Sequence, residues 1–228
     1  MKNISQPCNV YHLGQLEYGR AWSLQKALVE QISNREQPSS LLLLEHDHVY
    51  TIGRTGSMAE INASPASLLD LGISIYETDR GGQVTYHGPG QLIAYPIIDI
   101  RALGGPLKYI RALERILIKT LSDYNINALT KDGYTGVWVS DEKIAAIGVK
   151  ISRGIAHHGI SLNINLDLSY FKHIIPCGLV KAQITSMENI LGEPMNVDTI
   201  TYSLQYYLGK ELGLILVDSD PAELPALD

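Results

Sequence analysis

Two residues with covalent or proton-transfer chemistry stand in distinctive settings. Cys177 lies between Pro176 and Gly178, and Lys143 heads the apolar run Ile144, Ala145, Ala146, Ile147, Gly148. A thiolate is the reactive form of cysteine, and a free thiol, with a pKa of about 8.5, needs a neighbour to ionise it at neutral pH. Proline fixes the approach to the sulfur, and glycine leaves the sulfur and nearby N–H groups accessible. A lysine leading an apolar run must either snorkel to solvent or be paired. His87 and His158 each directly precede a glycine and are the other candidate helpers. A cysteine–histidine pair reads as a thiol hydrolase, and a cysteine–lysine pair competes with it. The spacing leaves both open. It also leaves open the plainer readings, a small buried cysteine and hydrogen-bonded strand-end histidines.

The densest stretch of chemistry comes earlier, in RGGQVTYHGPGQLIAY from Arg80 to Tyr95. Gly81 and Gly82 let backbone N–H groups approach a ligand with no side chain in the way. The Gly88-Pro89-Gly90 turn holds Thr85, Tyr86 and His87 at a strand end beside a rigid corner. The competing reading is a glycine-rich hairpin with a satisfied histidine. His46 and His48 alternate as strand neighbours do, but a metal site needs a third ligand that no local spacing supplies. No metal is expected, and these two histidines are read as strand-end contacts or a wall of the site.

Composition excludes several classes. The net charge of −6 leaves no global basic footprint for nucleic acid. Hydrophobic residues at 45% against 18% charged ones support a sizeable core rather than disorder. The two cysteines, Cys8 and Cys177, form neither a disulfide framework nor a zinc spacing, which fits a reducing, cytoplasmic setting. The first residues carry no apolar signal-peptide core, and no run approaches the roughly 20 apolar residues of a membrane span.

These candidates need a scaffold. Residues 18–32 read as a helix with Trp22, Leu24, Leu28 and Ile32 on its apolar positions. Residues 41–44 read as a buried strand, and Ser64, Pro65 and Gly72 bracket a short helix. Strands are expected at 73–76 and 92–98, and the clearest helix at 107–124. On that helix Lys108, Arg111, Arg115 and Lys119 form a basic stripe, the usual mark of a solvated face. Residues 136–140 and 143–152 read as a hairpin across Asp141 and Glu142, 155–165 as a strand, 172–178 as a loop and 197–212 as a closing helix. Strands come mostly in neighbouring pairs, so the expectation is a single α+β domain with a mixed or antiparallel sheet flanked by helices.

At these residues the chain resembles the lipoyl(octanoyl) transferases. The signature matches as Arg80, Gly81, Gly82, Thr85, Tyr86, His87, Gly90, Gln91 and Tyr95. A second block matches as Lys143, Ala145, Ala146, Ile147, Gly148, His158 and Gly159, and a third as Pro176, Cys177, Gly178, Thr185 and Ser186. The resemblance runs from about Tyr11 to Leu214. It implies a catalytic domain over residues 1–214, leaving 215–228 as a loosely ordered acidic tail. It implies the biotin/lipoate protein ligase fold and a Cys177–Lys143 dyad, with His158 in a supporting role. The octanoyl group would pass from acyl carrier protein to a lysine of lipoyl domains, those of 2-oxoacid dehydrogenase E2 subunits and the glycine cleavage H protein.

The resemblance also places acyl-binding positions at Arg80, Gly81, Gly82, Gln83, Val84, Thr85, Tyr86, His87, Ala146, Ile147, Gly148, Gly159, Ile160 and Ser161, with Gly148 and Gly159 making room for the chain. It implies no cofactor, no nucleic-acid or membrane partner, and a monomer. The basic stripe is the linear candidate for steering an acidic carrier protein. The rival readings are an ATP-dependent lipoate or biotin ligase on the same fold, and a non-catalytic protein that binds acylated carrier or lipoyl domains.

Overall fold

The computed structural model describes residues 6–175 and 183–226. The chain opens with strand β1 (Gln6–Gln15) and helix α1 (Tyr18–Ser33), then β2 (Ser39–Glu45), β3 (Val49–Ile52), α2 (Pro65–Asp70) and β4 (Ser74–Glu77). Strands β5 (Val84–His87) and β6 (Gln91–Asp99) precede helix α3 (Pro106–Ser122). The hairpin of β7 (Val137–Val139) and β8 (Glu142–Ser152) leads into β9 (Ile155–Asn163). Strand β10 (Gln183–Ile184), α4 (Met187–Leu191), α5 (Val197–Leu212) and β11 (Leu214–Asp218) follow.

The principal sheet runs β10–β8–β9–β6–β2–β1–β11 with β7 also on β8, and a three-stranded sheet runs β4–β3–β5. From β8 to β2 the pairs are antiparallel, while β2–β1, β1–β11 and β10–β8 are parallel. The sheet is therefore mixed, as expected. Strand β2 is apolar at four successive positions because neither of its faces meets water. Leu41 and Leu43 join Ala94, Leu113 and Leu204 in the core beneath α3 and α5, whereas Leu42 and Leu44 join Ile93, Tyr95 and Leu28 beneath α1. The alternation of a strand sends neighbours to opposite cores.

Three residues of the basic stripe on α3 are at least partly exposed and engaged in ion pairs. Arg111 donates to the buried Glu114 at 2.6 Å, and Arg115 and Lys119 both reach Glu211 of α5. Among the described residues no helix is long and apolar enough to cross a membrane.

Two expectations need correction. The residues after Leu214 are not simply a loose tail. Leu214 to Asp218 pair in parallel with Gln6 to Val10 of β1, Ser219 N–H donates to Val10 O at 2.9 Å, and Leu224 packs against the α1 core. The acidic, proline-containing end hides a strand whose Leu214 and Leu216 turn toward the core while Ile215 and Val217 turn out. The expected loop from 172 also begins inside a 3-10 helix, Leu168–His173. The rest of that loop, with Cys177, lies outside the described residues.

Ending the chain after Gly213 should therefore destabilise it by on the order of 2–4 kcal/mol, the value of partly burying Leu214, Leu216 and Leu224. Urea unfolding measures this, and an unchanged midpoint would restore the loose tail.

Candidate active site

Strands β8 and β9 form one wall of a cavity of about 280 Å³, and the loop of residues 80–83 with β5 forms another. The blocks at 146–148 and 159–161, far apart in sequence, are cross-strand partners: Ala146 faces Ser161, Ile147 faces Ile160, and Gly148 faces Gly159. All six line the cavity, as do Lys143, His158, Arg80, Gly81, Gly82, Gln83, Thr85 and His87.

Val84 and Tyr86 do not line it. Strand alternation turns them into a separate core with Tyr50 and Ile52. There the Tyr86 hydroxyl meets His48 Nδ1 at 2.7 Å, and its ring stacks on Tyr170. Sequence reasoning missed Tyr18, Tyr95 and the turn residues Gly133, Tyr134 and Thr135 as lining. Tyr95 carried a signal, since it closes the first motif; the others carried none.

The loop of residues 80–83 is clamped by its own arginine. Arg80 is buried, and its Nη2 donates to Thr51 O at 2.6 Å, Gln83 O at 2.7 Å and Thr51 Oγ1 at 2.8 Å. Gly81 N–H donates to Val149 O at 3.0 Å, pinning the loop on β8. That bond occupies the Gly81 N–H, so it is not an oxyanion donor in this conformation. Both strand glycines line the cavity, and both are also approached closely by backbone. A Cβ on Gly148 would stand 3.0 Å from Gly81 O, and one on Gly159 would stand 2.2 Å from Ala94 O. Backbone thus fills the direction in which each Cβ would point, while both glycines still border the cavity.

Lys143 is buried at 5% exposure, and its ammonium lies 5.1 Å from the centre of the Trp138 ring, its cross-strand partner in the β7–β8 hairpin. A cation over an indole face is attracted by the ring quadrupole. Gly136 leaves space for the stem, because a Cβ there would come 2.7 Å from Lys143 Cε. On its other side Lys143 pairs with Ile184 of β10.

Further along the same wall His158 adopts φ 53°, and two consecutive imidazoles come onto one carboxylate. His158 Nε2 donates to Asp79 Oδ1 at 2.9 Å, His157 Nε2 lies 3.9 Å from Asp79 Oδ2, and Lys150 Nζ lies 3.6 Å from the same oxygen. Burial lowers the pKa of both histidines, His157 to about 4, and the His158 hydrogen bond holds Asp79 well below the usual carboxylate range. Among the described residues these three form the group whose ligand atoms come within 4.8 Å of one another. As a metal site the group fits poorly. A metal at the Nε2 atoms would need acceptors at both Nδ1 atoms, and neither has a partner among the described residues, while the Lys150 ammonium already faces Asp79. His46 and His48 part company too, His46 bridging Leu16 O and the Tyr95 hydroxyl at 2.7 and 2.8 Å.

Residues 17–208 match the family model of the lipoyl protein ligase A/B catalytic domain. An octanoyltransferase of Caldicellulosiruptor saccharolyticus is 42% identical over 90% of this chain and 88% of its own. One of Alkaliphilus metalliredigens is 39% identical over 92% and 98%. Among solved structures, a lipoate-protein ligase A bound with ATP superposes with a TM-score of 0.73 at 12% identity, covering 96% of this chain and 90% of that one. A bi-partite lipoate protein ligase of Thermoplasma acidophilum gives 0.72 at 14% over 96% and 88%, and the biotin protein ligase of Aquifex aeolicus gives 0.53 at 12% over 90% and 68%. At these identities the likeness is one of fold.

The packing of the glycines sets an ordered expectation. Gly159→Ala should destabilise by on the order of 3 kcal/mol, since a strand carbonyl cannot retreat. Gly148→Ala should cost less, because the loop can yield, and should instead raise KM for the acyl donor. Thermal unfolding and steady-state assays of the two variants measure this, and equal losses of stability would contradict it.

Titration of the buried histidines gives a second expectation. Burial lowers His46 to about 4, against about 6.5 unfolded. The unfolded chain therefore takes up the proton first, so His46 favours folding above pH 6.5, and that contribution is lost as pH falls toward 4. The slope is about 1.4 kcal/mol per pH unit for each such group. Denaturant unfolding of His46→Gln should show a flatter acid limb, and an unchanged slope would contradict the assignment.

Proposed function

The chain belongs to the lipoyl protein ligase A/B catalytic family and, within it, to the octanoyltransferases that move octanoyl groups in protein lipoylation, and we propose that it works through a Cys177 thioester activated by Lys143. The observation that carries this reading is the setting of Lys143. Its side chain is buried at the rim of the cavity, beside the two-residue strand that follows the segment bearing Cys177. Gln183 and Cys177 are 183 − 177 = 6 positions apart, a reach of at most about 20 Å, a tether that permits the thiol to meet the ammonium in the proposed dyad.

In the first half-reaction the Cys177 thiolate attacks the thioester carbonyl of octanoyl-acyl carrier protein. The carrier thiolate leaves and takes a proton from the Lys143 ammonium, which becomes the neutral amine, and the octanoyl group stays on the sulfur. The Lys143 ammonium favours the thiolate before attack. In the second half-reaction the ε-amine of a lipoyl-domain lysine attacks the enzyme thioester and gives up a proton to neutral Lys143, and the Cys177 thiolate departs. A cavity of about 280 Å³ is at the small end of ligand pockets and suits a short acyl chain. Residues 80–83, Thr85, His87, 146–148 and 159–161 would line that chain. Val84 and Tyr86 would support it from behind, and His158, held by Asp79, would shape its wall. The donor is octanoyl-acyl carrier protein. The acceptors are the lipoyl domains of 2-oxoacid dehydrogenase E2 subunits and the glycine cleavage H protein. The enzyme acts as a cytoplasmic monomer without ATP.

Incubation with octanoyl-acyl carrier protein alone should add one octanoyl mass to the protein, removable by hydroxylamine. Cys177→Ser should lose rapid transfer. Lys143→Met should move the thiol pKa toward about 8.5, and Lys143→Arg should restore some thiolate by charge but not proton transfer. Adduct formation on Cys8, full transfer by Cys177→Ala, or a requirement for ATP would contradict the mechanism.

A further inference from the structure

Behind Lys143 lies a second, water-sized cavity of about 10 Å³ whose walls include Thr85, Gln91, Lys143, Ser161 and Asn163. Gln91 and Asn163 carry buried amides, exposed only 1% and 5%, and buried polar atoms require partners. They find them in a line. His87 Nδ1–H donates to Gln91 Oε1 at 2.7 Å, Gln91 Nε2 donates to Asn163 Oδ1 at 2.8 Å, and Asn163 Nδ2 donates to the Thr185 carbonyl at 2.9 Å. Thr185 N–H in turn donates to the Lys143 carbonyl at 3.0 Å.

This line has one direction. The Thr185 carbonyl only accepts, so Asn163 must offer it the NH2 and turn its oxygen to Gln91. Gln91 must then offer its own NH2 and turn its oxygen to His87. Each amide is locked by the next, and the neutral His87 tautomer is fixed with its proton on Nδ1. The far end matters because β10 is only two residues long. So short a ladder holds its register weakly, and Thr185, the residue immediately after it, is fastened on one side to Asn163 and on the other to Lys143.

We propose that Gln91 and Asn163 are positioning residues of the transfer reaction, which fasten the Thr185 peptide against β8 and so fix the place of the Lys143 side chain. The proposal rests on the reading of Lys143 and Cys177 given above. Neither amide touches the acyl group. They act through backbone, and their loss lets β10 and Lys143 shift relative to each other. The attraction between an ammonium and a thiolate falls with separation, so a shift raises the thiol pKa and slows acylation without changing how the donor binds.

The test is single-turnover acylation of the full chain by octanoyl-acyl carrier protein, followed across pH. Asn163→Leu should slow acylation at neutral pH by roughly 10- to 100-fold, with KM for the donor unchanged. The pH midpoint should move upward, so that the deficit shrinks in alkali. Gln91→Leu leaves Asn163 its donor but removes its orienting partner, and should show the same shift to a lesser degree; it decides the matter should Asn163→Leu not fold. A lower Tm with an unmoved pH midpoint, or a raised KM with normal acylation, would overturn the proposal. Lys143→Met separates the two layers. If its midpoint moves and those of the amide variants do not, the relay alone fails; if its midpoint stays put, the dyad fails and the relay with it.

Discussion

The cavity takes its shape from a guanidinium buried among oxygen atoms. Arg80 sits 7% exposed, and its donors meet Thr51 O, Thr51 Oγ1, Gln83 O and Gly81 O. Burying a cation is tolerable only when its donors are met in this way, and the fork of N–H groups is what lets one side chain hold several carbonyls at once. The loop of residues 80–83 is thereby drawn flat against β3 and β8. A Cβ on Gly53 would fall 2.2 Å from Gly82 O, and one on Gly148 would fall 3.0 Å from Gly81 O. The small residues around the site follow from that closeness. So does the facing of Thr85 and His87, which lie on the β5 strand that follows the loop and line the cavity.

Lys143 is held differently, at the edge of the cavity. The indole of Trp138 attracts its charge through the ring quadrupole, and Gly136 gives the stem its passage. Burial of the neutral histidines of the cavity keeps further positive charge out at neutral pH, while Asp79 is engaged by His158.

Much of this architecture is readable in the residues. The cap at Ser64, the periodicity of α3 and the β7–β8 hairpin follow from local rules, and the structure places them within a few residues of expectation. Local rules fail where the deciding contact is distant. Nothing near residues 214–218 says that β1 offers them a parallel edge. Nothing in the spacing says that 146–148 lie opposite 159–161, and that grouping came from the family resemblance. The separation of Val84 and Tyr86 from Thr85 and His87 was within reach, because all four lie on one strand and must alternate. The pairing of His158 with Asp79 depends on a left-handed backbone at a non-glycine residue, which no sequence pattern announces.

The central claim, that the octanoyl group rests on Cys177 between donor and acceptor, is tested most directly by kinetic competence. Octanoyl-enzyme, formed from labelled donor and freed of carrier protein, is mixed with a lipoyl domain in a quench-flow instrument with no ATP present. The account predicts that label leaves the cysteine and appears as an amide on the lipoyl lysine at a rate no slower than steady-state turnover. Label that stays on the enzyme, or moves more slowly than turnover, would contradict it.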